Sequence, residues 1–273
     1  MIIIGSSGKL YSQTKTCCSA NAASTFAMLG NDAGFRSAHL APELINFVAA
    51  KGTNITFPVN GGPEGKAFFI KAAGNSDKFL YIIHEWWGLN DHIRMEAERY
   101  AGDFPDVNIL AIDLYDGQLA TNAEDAGKMM QAVKQERAEA IIKGALTYTG
   151  PTAAIQTLGW CFGGAWSLQA AILLGKQATG CVMYYGMPEK DPKKLAMLNA
   201  PVLGIFASRD GWITKPVVDD FENQMKELKK PVTINWFDAD HAFANPSNPK
   251  FDKESTEKAR EMTVDFLKEN FGK

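Results

Sequence analysis

Cysteine and histidine are both scarce, at four residues each in a chain of 273. Cys17, Cys18, Cys161 and Cys181 are too few to staple a disulfide scaffold, and no C-x-x-C pair is present for zinc or redox chemistry. Cys17 and Cys18 are neighbours, which is poor geometry for an ordinary disulfide. An excess of one charge is missing as well. The 28 Lys and Arg are spread among 31 Asp and Glu, for a net charge of −3, so nothing marks a nucleic-acid footprint. No apolar run approaches the roughly 18 residues of a membrane span. The apolar start "MIIIG" is shorter than a signal peptide's h-region of about 7–15 residues. The chain therefore reads as cytoplasmic, or as exported if an original signal segment has been replaced.

What is present is a large apolar fraction, 46% of residues, enough to bury a sizeable core. Residues 1–50 stand apart: "SANAASTFAMLGNDAGFRSAHLAPELINF" is rich in Ala, Ser and Asn with short helical patches. They read as an N-terminal extension, either packed on the main domain near its active face or forming a partly ordered arm. From residue 51 to 273 strands alternate with helices. "KFLYIIH" and "VNILAIDLY" are continuous apolar runs, as expected of strands buried on both faces. "TNAEDAGKMMQAVKQERAEAIIKGALTYTG" reads as one long amphipathic helix. About eight strands are countable, and their alternation with helices predicts an α/β fold with a mainly parallel sheet covered on both faces.

In such a sheet, reactive groups gather at the carboxyl ends of strands. The stretch "TLGWCFGGAWS" lies there, between a strand and a helix, with Cys161 where a G-x-S-x-G nucleophile elbow carries serine. A tight strand-to-helix turn holds its central residue in a strained conformation, Gly159 and Gly163 leave room around it, and the helix N-terminus favours thiolate. Cys181, without this context, reads as a core residue. A thiol nucleophile needs a base and the base an orienter. Downstream of Cys161 the one histidine is His241, and Asp210 in "FASRDGWIT" lies between them, in the nucleophile–acid–histidine order of an α/β-hydrolase. Asp238 and Asp240 stand too near His241 on its own loop, and Asp191 is less well placed. His84 and Glu85 do not complete an H-E-x-x-H metal motif, because Gly88 occupies the second histidine's position. Glu85 ends an apolar strand, an unusual place for a carboxylate that nothing uses.

"HEWWG", "DLYDG", "GWCFGG", "MYYG", "SRDGW" and "DHAFANP", in this order over residues 54–272, resemble the dienelactone hydrolase (carboxymethylenebutenolidase) family of the α/β-hydrolase superfamily. The resemblance implies Cys161 as nucleophile, His241 as base, Asp210 as its orienter, and Glu85 as a carboxylate that acts on the resting thiol. It also implies an oxyanion hole from the backbone N–H groups of Phe162 and Trp86. Trp87, Tyr115, Tyr185, Trp212 and Phe243, beside those motifs, are the expected lining of a substrate pocket. Hydrolysis of a small-molecule lactone or carboxylic ester through a thioacyl intermediate follows, with no metal or organic cofactor called for. A general carboxylesterase or thioesterase on the same triad, or a redox-sensing member without catalysis, are the rival expectations. The sequence departs from the family where arginines would hold a substrate carboxylate. Gly117 and Asn245 stand there instead, so a neutral substrate is expected unless Arg94 or Arg209 supplies the charge.

Overall fold

The computed structural model describes residues 21–43 and 45–272. Cys17, Cys18 and the first part of the N-terminal extension lie outside these residues. Eight strands form one sheet: β1 (Thr53–Phe57), β2 (Gly65–Ile70), β3 (Lys78–Ile83), β4 (Asn108–Asp113), β5 (Ala154–Trp160), β6 (Ala178–Tyr184), β7 (Val202–Ala207) and β8 (Val232–Phe237). Their order is β1-β2-β4-β3-β5-β6-β7-β8. β1 and β2 pair antiparallel, as do β2 and β4, and every pairing from β4 through β3 to β8 is parallel. The apolar runs explain the placement of the middle strands. Every residue of β4 and β7 is buried, and full burial of each Ile or Leu there is worth about 1.5–3 kcal/mol.

Nine α-helices complete the described chain: α1 (Ala22–Ala27), α2 (Ala33–Ser37), α3 (Asp91–Asp103), α4 (Ala123–Ala132), α5 (Gln135–Thr149), α6 (Phe162–Leu174), α7 (Pro192–Ala196), α8 (Lys215–Glu227) and α9 (Lys253–Phe271). The long helix expected over residues 121–150 is in fact two, α4 and α5. Val133 and Lys134 take extended backbone angles, and Lys134 starts the second helix. The break coincides with a change of packing partner. α5 turns Ala138, Ile141, Ile142 and Ala145 to the main core, whereas α4 lies against residues 28–31 of the N-terminal segment. A straight helix could not serve both surfaces.

That N-terminal segment is folded onto the domain. Asn21 caps α1 by accepting from the Ser24 N–H at 2.8 Å, and Asp32 caps α2 by accepting from the Phe35 N–H at 2.7 Å. Gly127 in α4 faces the Gly30 backbone so closely that a Cβ on it would sit 2.8 Å from the Gly30 carbonyl oxygen. Phe26 and Phe35 are fully buried. Among the described residues no helix is long and apolar enough to cross a membrane.

Candidate active site

Cys161 occupies the turn from β5 into α6 with φ 56° and ψ −118°, a conformation that L-residues rarely adopt and that functional turns retain at a cost. The turn closes because its neighbours lack side chains. A Cβ on Gly159 would lie 2.1 Å from the Gly163 carbonyl oxygen, and one on Gly163 would lie 2.2 Å from that of Ile83. The Cys161 N–H donates to the Tyr184 carbonyl at 3.0 Å, tying the turn to β6. The side chain is buried. Burial pushes the thiol well above its ordinary pKa, the nearby Glu85 carboxylate raises it further, and the Phe162 backbone N–H works the other way.

Asp210 follows β7 and His241 follows β8, so both reach the same end of the sheet as Cys161. His241 Nδ1–H donates to Asp210 Oδ2 at 2.5 Å. The other carboxylate oxygen accepts from the N–H groups of Trp212 (2.8 Å) and Ile213 (3.0 Å). Burial disfavours the Asp210 charge, but His241 and these two N–H groups outweigh it and hold the carboxyl below its usual range. With Nδ1 occupied, the His241 Nε2 has no hydrogen-bond partner among the described residues. A ring nitrogen of His241 lies within 4.8 Å of the Cys161 sulfur. The three side chains of the expected triad thus come together. The rival acids do not. Asp238 and Asp240 pair with the exposed Arg209, and Asp191 caps α7 through the Lys193 N–H.

Glu85 sits at the end of β3, buried, and accepts from Asn245 Nδ2 at 2.6 Å. Burial raises its carboxyl to about 7, against the opposing pull of His241 and Asn245. The carboxylate bears on Cys161 through its charge. His84 is structural: its Nε2 accepts from the Leu114 N–H at 3.0 Å and its Nδ1 donates to the Glu85 carbonyl at 2.6 Å. Both ring nitrogens are committed, and no lone pair is left for a metal.

Two residues of the N-terminal segment join this centre, and sequence reasoning missed both. Phe35 lies edge-on to Trp86 (5.2 Å), Trp212 (5.1 Å) and His241 (5.6 Å). His39 stands 5.3 Å from the His241 ring and 5.1 Å from Trp86. Burial, reinforced by His241, lowers the pKa of His39 to about 3, so it is neutral at ordinary pH. The available signal was scarcity itself: one of only four histidines lies in the Ala- and Ser-rich stretch.

A cleft of about 250 Å³ opens beside Glu85 and Asn245, walled by Ile93, Tyr100, Trp160 and Tyr184. None of the five aromatic residues expected to line a pocket borders it. Trp87 packs against Trp86, Tyr115 against His84 and Phe162, and Tyr185 backs His241 and packs against Phe243. Trp212 covers His241 and Phe35. They surround the centre instead of the cleft, because side-chain direction at a strand end follows the pleat and the local turn. The expected substitute cations are also committed, Arg94 to Asp91 and Arg209 to Asp238 and Asp240. The cations that border the cleft are paired too, Arg99 with Glu96, Lys253 with Glu257 and Arg260 with Asp103.

A mainly parallel eight-stranded sheet, with a strained strand-to-helix turn at its carboxyl end, defines an α/β-hydrolase. The sequence model of the dienelactone hydrolase family matches residues 66–271, and the chain belongs to that family. Protein usf of Aquifex pyrophilus is 27% identical over 204 residues, covering 70% of this chain and 87% of its own. The carboxymethylenebutenolidase of Pseudomonas sp. strain P51 is 30% identical over 115 residues, 42% of this chain and 47% of its own. Among solved structures, a dienelactone hydrolase-like promiscuous phosphotriesterase from metagenomic libraries superposes with a TM-score of 0.70 at 18% identity, covering 81% of this chain and 99% of its own. The N-terminal segment with Phe35 and His39 precedes the family match.

Proposed function

We propose that this hydrolase cleaves neutral lactones or small carboxylic esters with Cys161 as nucleophile, His241 as base and Asp210 as its orienter. The observation that carries the reading is the buried Cys161 at φ 56° within 4.8 Å of a His241 ring nitrogen, while Asp210 holds that ring through Nδ1. His241 takes the thiol proton as the sulfur attacks the carbonyl carbon, and a C–S bond forms. The oxygen that becomes negative is received by the Phe162 and Trp86 backbone N–H groups. The C–O bond then breaks, His241 returns the proton to the departing alkoxide, and a water activated by the same ring hydrolyses the thioester. Glu85 sets the poise of the thiol. While ionised it opposes the thiolate, and once protonated or masked by substrate it no longer does.

A neutral substrate is supported by the pairing of every Arg and Lys that borders the cleft among the described residues and by Gly117 and Asn245 in place of a carboxylate clamp. The redox-sensor reading is disfavoured by the same burial, since a sensor cysteine is exposed and low in pKa. A panel of neutral lactones, aryl esters, thioesters and carboxylate-bearing lactones, assayed on wild type and Cys161→Ala, tests the proposal. Neutral lactones or esters should be preferred, and Cys161→Ala should lower kcat by roughly 10³-fold or more. Full activity in Cys161→Ala, or equal turnover of anionic and neutral lactones, would sink it.

A further inference from the structure

The Nδ1 of His39 lies 2.6 Å from the Phe35 carbonyl oxygen. A carbonyl only accepts, so Nδ1 carries the proton and Nε2 a bare lone pair. That Nε2 is buried and has no hydrogen-bond partner among the described residues. The His241 Nε2 is in the same condition, because Asp210 fixes its proton on Nδ1. One ring nitrogen from each histidine and the Cys161 sulfur lie within 4.8 Å of one another. Two bare acceptors thus lie in a buried place around the Cys161 sulfur, and neither has a hydrogen-bonded donor among the described residues. Two lone pairs beside a thiol can be completed by a group that accepts electron pairs.

From this geometry we propose that Cys161, His241 and His39 form a Zn²⁺ site, and that Zn²⁺ bound there switches the hydrolase off reversibly. Two imidazoles and a thiolate are a ligand set that zinc favours over hard cations. Both rings are already oriented by an outer partner, a backbone carbonyl for His39 and a carboxylate for His241, as metal-bound histidines usually are. A tetrahedral zinc with bonds of about 2.0–2.3 Å needs ligand atoms roughly 3.3–3.6 Å apart, so the three atoms close by about an ångström. Binding replaces the S–H bond with Zn–S and releases that proton to solvent, and the two Nε2 lone pairs complete the protein ligands with no change of oxidation state. Nucleophile and base are then both occupied. His39 is flanked by half-buried Ala38 and exposed Leu40, so the buried ring stands next in the chain to a residue at the surface. The metal site stands independently of the ester reading, and only its inhibitory consequence rests on it.

The full chain, reduced with a phosphine and stripped of metal by a chelator, is titrated with Co²⁺ and then with Zn²⁺. One equivalent of Co²⁺ should give thiolate-to-metal charge-transfer absorption and the intense visible bands of tetrahedral Co²⁺, both erased by Zn²⁺ and absent in Cys161→Ser. His39→Asn should weaken Zn²⁺ binding at least about tenfold, a loss that even outer-shell changes cause, whereas His39→Cys, which keeps a ligand, should retain it. Should His39→Asn fail to fold by circular dichroism, His39→Cys and the wild-type spectrum decide the matter. No charge-transfer band in the wild type, or equal affinity in wild type and folded His39→Asn, overturns the site. A wild type that binds Co²⁺ in this way but hydrolyses no ester in its metal-free form overturns the catalytic reading and leaves the metal site standing.

Discussion

Asn245 shows how one side chain can redirect a site. Where the resemblance leads one to expect an arginine, a neutral amide donates to the Glu85 carboxylate instead. That hydrogen bond favours the charged carboxylate and pulls against the burial that raises Glu85 to about 7. Removing it should therefore raise Glu85 further. In Asn245→Ala, the limb of the pH–rate profile that begins near neutrality should move to higher pH, and in Glu85→Gln it should vanish. Profiles of kcat/KM for the three proteins check both outcomes, and a limb that stays in Glu85→Gln would assign it to another group. The sequence placed a carboxylate at a strand end but could not show its partner, because Asn245 is 160 residues away.

At the scale of elements, the elbow and the N-terminal segment behave differently. The elbow was legible: an apolar strand, glycines and a helix follow one another locally, and local geometry forces the turn. Gly163→Ala would press a Cβ against the Ile83 and His84 carbonyl oxygens, which have no freedom to move within β3 and its end. It should destabilise the fold by about 1–3 kcal/mol or more, read as a lowered Tm. The segment bearing α1 and α2 was legible only in part: short helical patches and packing near the active face were one of two readings, but the burial of Phe26 and Phe35 against α6, the β8 loop and Trp86 was not. Phe35→Ala should loosen this cover while leaving the sheet intact. Alkylation of Cys161 by a neutral reagent should then speed up on the order of tenfold or more, as each 1.4 kcal/mol of weakened closure gives a factor of ten. An unchanged alkylation rate would show that the segment does not guard the thiol. The break between α4 and α5 belongs to the same scale: the apolar periodicity continues through Val133, while α4 packs on the N-terminal segment and α5 on the main core.

For the whole molecule, the buried Glu85 makes folding depend on pH. Its folded pKa of about 7 exceeds its ordinary 4.5, so the native state binds the proton more tightly than the unfolded chain. This contribution is fully present below 4.5, is lost as pH rises to about 7, and changes no further above that. The difference bounds the loss at roughly 3 kcal/mol. Denaturant unfolding at pH 5 and pH 8 should show Glu85→Gln losing less stability over this interval than wild type. An equal loss in both proteins would mean that Glu85 does not carry it.

The sequence by itself determined the order of strands and helices along the chain, the strained turn at Cys161, and the succession Cys161, Asp210, His241 at the carboxyl ends of β5, β7 and β8. Each is a local matter of periodicity, glycine spacing and which loop follows which strand. Tertiary structure alone decided that Asn245 would hold Glu85, that the cleft would be walled by Trp160 and Tyr184 and not by the five aromatics expected there, and that a ring nitrogen of His39 would come within 4.8 Å of Cys161 and His241. Those outcomes depend on side-chain direction and on contacts between segments far apart in the chain, and neither is written in the spacing of residues.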